Sequence, residues 1–230
     1  MTVGTLTWDI ARVGGLMAYL LTTASVLIGI GLSLKWRSPT WPRFVTNELH
    51  RFVTLVALVF VGVHTVAVFV DPFIGFTPLE VIVPLVSHYR PVWVALGIVA
   101  GYLAIAVYLS EKVRSRIGYE WWRRFHFLAF FVFVLATLHG LGTGSDTRAA
   151  WAVVMYATCG LAVIGALTLR LLPTKGNAGH PLVAAVMVLI TVEVALWAAF
   201  GPLRPGWNAI ANDGNGSGGV TQAAPAAAPR

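Results

Sequence analysis

Six long apolar runs dominate this sequence and restrict its fold more than any other feature. They cover approximately residues 10–34, 47–70, 90–110, 120–142, 149–172 and 181–200. Each run approaches the roughly 20 apolar residues that an α-helix needs to cross a bilayer. Only 11% of the residues are charged, which is too few to cover a soluble globular surface. The sequence therefore predicts an all-α, six-helix transmembrane bundle.

The lysines and arginines between these runs predict the orientation of the bundle. Five fall on one side of the membrane: Arg12, Arg90, Arg148, Arg204 and Arg230. Eleven fall on the other: Lys35, Arg37, Arg43, Arg51, Lys112, Arg114, Arg116, Arg123, Arg124, Arg170 and Lys175. The side richer in basic residues faces the cytoplasm, so we expect both termini to be extracytoplasmic. The basic residues form no continuous stripe, and nucleic-acid binding is not expected.

The composition changes after the sixth run. We expect residues 1–200 to form the six-span domain, and residues 201–230 to form a disordered extracytoplasmic tail. The tail contains GNGSGG and QAAPAAAPR, which lack the large apolar side chains that build a core. Cys159, the single cysteine, lies in an apolar run and is expected to pack as a small hydrophobic residue.

A longer segment joins the second and third runs. Within it, Thr77, Pro78 and Glu80 follow the capping-box pattern that starts a helix, with proline at the first helical position. We therefore expect a short interfacial helix or a re-entrant piece between Asp71 and Tyr89.

Four histidines fall within or at the ends of two predicted spans. His50 and His64 are 14 residues apart in the second span, and His126 and His139 are 13 apart in the fourth. These spacings correspond to rises of about 21 and 20 Å. Both spans run in the same direction, so His50 matches His126 in depth and His64 matches His139. Ionisable groups at membrane depth are costly and usually functional.

Matched histidines on facing helices could bind two haem irons, each from both faces of its porphyrin. Thirteen residues leave the two fourth-span histidines about 140° apart on an ideal helix. That helix is therefore expected to bend, unwind or carry a π-bulge near its middle. Two alternatives remain at this point: core histidines with purely structural hydrogen bonds, and a histidine-lined metal transporter. The spans contain almost no Asp, Glu or Cys, which disfavours the transporter.

Other side chains are weaker candidates. Trp122 precedes His126 by four residues and shares its helix face, where it could pack on the inner porphyrin. Arg123 and Arg124 could dock an acidic donor. Further candidates are Glu193 for proton handling, His88 and Arg90 for outer contacts, and His180 for a cap or a quinone site.

The paired histidines resemble the ferric reductase-like transmembrane domain superfamily. It includes NADPH oxidases, ferric reductases and the haem membrane subunit of the bacterial methionine-sulfoxide reductase system. The spacings are similar to those of the oxidase branch, and GYEWWRRFHFLAFFVFVLATLHG resembles its fourth-helix signature. The resemblance spans about residues 10–172. It implies that His50 and His126 bind an inner haem, and that His64 and His139 bind an outer one. IARVGG resembles the oxidase segment whose arginine lies beside the outer haem, and Arg12 is the matching residue.

The resemblance also implies a function. Two haems b, with one haem as the alternative, would carry electrons across a bacterial cell membrane to an extracytoplasmic acceptor. That acceptor is a partner protein, a ferric chelate or oxygen. The sequence has no GxGxxG segment following a strand, so we expect a separate cytoplasmic-side donor. Membrane quinol, or a flavin reductase carrying FMN or FAD, would fill that role. The chain would then be the haem b membrane component of an oxidoreductase.

Overall fold

The computed structural model describes residues 3–34, 42–72 and 74–171. The described chain is helical: α1 (Val3–Ser33), α2 (Arg43–Val70), α3 (Pro78–Ile82), α4 (Pro91–Lys112), α5 (Arg114–Ile117), α6 (Tyr119–His126), α7 (Leu128–Thr143) and α8 (Ala150–Leu171). Five predicted spans are confirmed as helices long and apolar enough to cross a membrane, with α6 and α7 together forming one of them. The sixth predicted span, His180, Glu193 and the tail lie outside the described residues.

The helices associate as two neighbouring pairs. α1 packs along α2 and α4 packs along α7, whereas α2 approaches α4 at few positions. Large apolar side chains point outward, such as Phe44 with 71% of its surface exposed and Phe52 with 64%. Outward apolar side chains are expected where lipid is the solvent. The space left between the two pairs therefore lies in the middle of the bundle.

One buried cluster links α1 to α7 and α8. Tyr19, Val26 and Ile30 pack from α1 against Phe133, Cys159 and Val163. Cys159 is buried in this cluster, which confirms its predicted role as a packed apolar residue. The cluster fixes α1 against the second helix pair on the side away from α2.

The segment between α2 and α4 contains the predicted short helix. α3 begins after Thr77 with Pro78 in its first turn, and the capping box is present. The Thr77 backbone N–H donates to Glu80 Oε2 at 2.9 Å. Thr7 of α1 donates to the Asp71 carboxylate at 2.7 Å, which ties the start of this segment to the outer end of α1.

The span formed by α6 and α7 is interrupted at Phe127, one residue after His126. Here the Phe127 N–H bonds the Arg124 carbonyl at 3.2 Å, and the Phe130 N–H bonds the Phe127 carbonyl at 3.1 Å. Both are the i to i−3 bonds of a tighter 3₁₀ turn. The expected irregularity is therefore present, but the prediction that it lies near the middle of the helix was wrong.

Candidate cofactor site between the two helix pairs

The four histidines meet across the space between the helix pairs as two couples. The ring centroids of His50 and His126 are 6.1 Å apart, with 71° between the ring planes. Those of His64 and His139 are 6.2 Å apart, with 78° between the planes. The structure thus brings together the residues that the sequence matched by depth, one couple near each end of the spans.

These separations suit one metal ion held between each pair of rings. Imidazole nitrogens bind first-row metals at about 2 Å, and each ring centre lies about 1 Å beyond its nitrogen. Two rings on opposite sides of one iron therefore have centres about 6 Å apart. Both histidine couples have this spacing. The residues present fit a haem held by two imidazoles.

Backbone carbonyls orient both rings of the outer couple. His64 Nδ1 lies 2.8 Å from the Ala11 carbonyl oxygen, and His139 Nδ1 lies 2.9 Å from that of Trp93. A carbonyl only accepts, so each Nδ1 carries the proton and donates it. Each Nε2 is then the unprotonated nitrogen that a metal requires, in the arrangement that fixes ring orientation in metal sites.

A short hydrogen-bonded ring holds His50 of the inner couple. His50 Nδ1 lies 3.3 Å from Ser25 Oγ, Ser25 Oγ lies 2.7 Å from Thr54 Oγ1, and Thr54 Oγ1 donates to the His50 carbonyl at 2.7 Å. With the proton on Nδ1, every hydroxyl in this ring donates once and accepts once. His50 Nε2 is again left for a metal.

His126 is held differently. Its Nδ1 is buried and has no hydrogen-bond partner among the described residues. Trp122 stacks on it instead, with ring centroids 5.0 Å apart and 27° between the planes. The structure therefore places Trp122 on the same face as His126, as its position four residues earlier predicts. The inner couple combines one weakly bonded ring with one stacked ring.

A cavity of about 640 Å³ lies between α2 and the pair formed by α4 and α7. Its size is within the range of cofactor sites. Both outer histidines line it, and it extends from Trp8 and Arg12 at one end to Ser25 and Thr54 beside His50. Most other lining side chains are apolar. The cavity thus connects the depth of the outer couple with that of the inner one.

Charged side chains at the outer end are engaged with protein partners. Arg12 lines the cavity and pairs with the carboxylate of Asp146, and it also approaches Asp9 at 3.8 Å. Arg90 donates to the Gly142 carbonyl at 2.5 Å. The structure therefore adds a carboxylate beside the arginine that the sequence had singled out.

Glu80 is a buried anion at this outer end and lines the same cavity. Burial alone raises its pKa. Hydrogen bonds from the backbone N–H groups of Thr77 and His88 and from both side chains reverse this effect and lower the pKa to about 2. His88 Nδ1 lies 2.5 Å from Glu80 Oε1. His88 is therefore joined to the carboxylate at the start of α3.

Sequence reasoning missed the groups that orient the histidines. Two of the four Nδ1 atoms contact backbone carbonyls, which leave no side-chain signal. A signal was available in the glycines. Gly15 and Gly29 of α1 are 14 residues apart, as are His64 and His50 of the neighbouring antiparallel helix α2, and each glycine contacts one of these histidines.

Comparisons with known proteins give one family. The ferric reductase like transmembrane component family matches residues 14–137. The match includes His50, His64 and His126, and it ends two residues before His139. No curated protein and no solved structure gives a significant match. Since the family match covers more than half of the 230 residues, the chain belongs to the ferric reductase-like transmembrane family.

Proposed function

We propose that this protein carries electrons across a membrane through two b-type haems, each held by one histidine couple. The observation that carries the proposal is the spacing of the rings, 6.1 Å for the inner couple and 6.2 Å for the outer one. Three of the four Nδ1 atoms have hydrogen-bond partners, which leaves Nε2 for iron. Membership of a ferric reductase-like family supports the same function.

When bound, each haem would supply a one-electron carrier with both axial positions filled. The protein's own contribution is binding, orientation and exclusion of water. His50 and His126 bind on the cytoplasmic side, and His64 and His139 on the extracytoplasmic side. The carbonyls of Ala11 and Trp93 hold the outer rings in place. The apolar cavity wall excludes water between the two levels.

A basic and aromatic surface beside the inner couple supports a soluble, acidic electron donor. We call it the inner basic surface: Arg114, Tyr119, Trp121, Trp122, Arg123 and Arg124. Its guanidinium groups lie over aromatic rings at 5.2 to 6.0 Å, and 67% of the surface of Trp121 is exposed. Exposed cations guide acidic partners to a docking site. A separate flavin reductase is therefore the proposed donor, and membrane quinol is the alternative.

The outer end supports transfer to an extracytoplasmic acceptor. The cavity is open at this end beside Arg12, Asp146 and Trp151. With both axial positions of each iron taken by histidine, the acceptor would be reduced at the porphyrin edge without binding iron. A partner protein, a ferric chelate and oxygen are all acceptors compatible with such a transfer. Timing the reoxidation of reduced protein with each would rank them.

A reduced-minus-oxidised spectrum of the purified protein tests the proposal. Two haems per chain are expected. His64→Ala or His139→Ala should remove only the outer haem, and His50→Ala or His126→Ala only the inner one. His88→Ala, a histidine outside the couples, is the matched control and should keep both. A colourless wild-type protein, or loss of both haems in every couple variant, would overturn the proposal.

The metal-transporter alternative lacks a comparable observation. Within residues 3–34, 42–72 and 74–171, no three His, Cys, Asp or Glu side chains form a group that could hold a metal ion. The histidines lie in twos at separate depths. Transported divalent cations usually need more than two protein ligands at a site. We therefore propose electron transfer alone.

A further inference from the structure

Three of the four histidine rings rest directly on a glycine of the neighbouring helix. The contacts are close enough to leave little or no room for a side chain. A Cβ atom added to the glycine would lie 3.0 Å from His64 Nδ1 at Gly15, 3.3 Å from His50 Cε1 at Gly29, and 2.5 Å from His139 Nδ1 at Gly97. Carbon atoms in contact normally stay about 3.5–4.0 Å apart, so alanine would displace the ring most strongly at Gly97.

Each of these glycines lies four residues after the group that bonds the same histidine. Ala11 precedes Gly15 and its carbonyl accepts from His64. Trp93 precedes Gly97 and its carbonyl accepts from His139. Along a helix the Cα–Cβ bond tilts toward the N-terminus, so a side chain covers the turn before its own Cα. Glycine at this position uncovers the carbonyl four residues earlier.

The inner couple repeats this register once. Ser25 precedes Gly29 by four residues, and its hydroxyl lies 3.3 Å from His50 Nδ1. For His126 the register fails. Counting 13 residues on from Gly97, the spacing between His126 and His139, leads to Ser110, a buried residue whose hydroxyl donates to the Val107 carbonyl.

We propose that Gly15, Gly29 and Gly97 are positioning residues for the axial ligands. Each leaves a notch in which an imidazole ring lies flat against the helix, with a hydrogen-bond acceptor one turn earlier. The inference rests on the proposed haem function and extends it. The glycines touch the ligand rings, so they act through the histidines. The rotation of three rings about the iron axis is thereby fixed by backbone, whereas that of His126 is set by Trp122.

Gly97→Ala is the strongest test, with Gly31→Ala as its matched control. Gly31 also lies within a long span helix, has nothing within 4 Å of an added Cβ, and does not line the cavity. Haem content of the purified protein should fall from two per chain to one in Gly97→Ala, through loss of the outer haem. Gly31→Ala should keep two. Two haems with unchanged potentials in Gly97→Ala would overturn the inference.

Milder variants keep the inference testable if Gly97→Ala does not accumulate. Gly15→Ala should keep both haems and raise the midpoint potential of the outer one only, because a displaced ring weakens the bond to the Ala11 carbonyl. Gly29→Ala should change the inner potential only, and by less. Equal changes at both levels would indicate general loosening of the bundle and reject a positioning role. A wild-type protein without haem would instead refute the proposed function itself.

Discussion

Replacing Ser25 by alanine tests how the protein tunes its inner haem. Ser25 supplies the hydrogen bond that the structure describes for His50 Nδ1, at 3.3 Å. A bond that accepts the Nδ1 proton makes imidazole a stronger donor to the metal, which favours oxidised iron. Loss of the hydroxyl should therefore raise the midpoint potential of the inner haem. The outer haem has its own carbonyl acceptors and should not respond.

The size of the change follows from the geometry. A hydrogen bond between neutral groups contributes about 0.5–1.5 kcal/mol, and 3.3 Å lies at the long end of the usual range. Ser25 also shares its hydroxyl with Thr54 at 2.7 Å. We therefore take about 0.5 kcal/mol as the loss. For one electron, 59 mV corresponds to about 1.4 kcal/mol, so the potential should rise by roughly 20 mV.

The assay is a redox titration of purified protein followed in the haem absorption bands. Thr23→Val is the control, because Thr23 is a buried hydroxyl residue of the same helix that donates to the Tyr19 carbonyl instead. Ser25→Ala should move one of two titration waves upward, and Thr23→Val should move neither. A fall in that potential, or an equal shift of both waves, would refute the reasoning.

Two further predictions concern the ends of the spans. Glu80→Gln should lower the melting temperature at pH 7, because the pKa of this carboxyl group is about 2 rather than its usual 4.5. The anion's contribution is present above pH 4.5 and is lost as the pH falls toward 2, so melting curves of variant and wild type should converge on acidification; a constant difference would contradict this. Arg123→Gln with Arg124→Gln should slow reduction by an acidic flavin reductase at low salt but not at high salt. Reduction by dithionite is the control, and equal slowing of it would argue against docking.

Hydropathy and the histidine spacing predicted much of this arrangement. Long apolar runs gave five spans because a bilayer leaves few other choices for such segments. The histidines stood out because ionisable side chains are rare in spans. The capping box at Thr77 was readable because its three residues lie within one turn. These features depend on local sequence or on depth alone.

The contacts between distant segments were not predictable in this way. Arg12 and Asp146 pair across 134 positions of the chain, and nothing in either neighbourhood indicates the other. The helix interruption was expected near the middle of the fourth span and lies at Phe127. No glycine or proline marks it, since the surrounding residues are Phe125, His126 and Leu128.

The division of the bundle into two helix pairs bears on how the protein is assembled. α1 with α2, and α4 with α7, are successive spans that can insert as hairpins while the chain is being made. Each hairpin supplies one imidazole to each level, so neither can capture iron porphyrin alone. The prosthetic group then acts as a cross-link between halves that otherwise meet mainly through α1. Cells short of haem should therefore contain this chain as inserted hairpins that proteases open readily between α2 and α4.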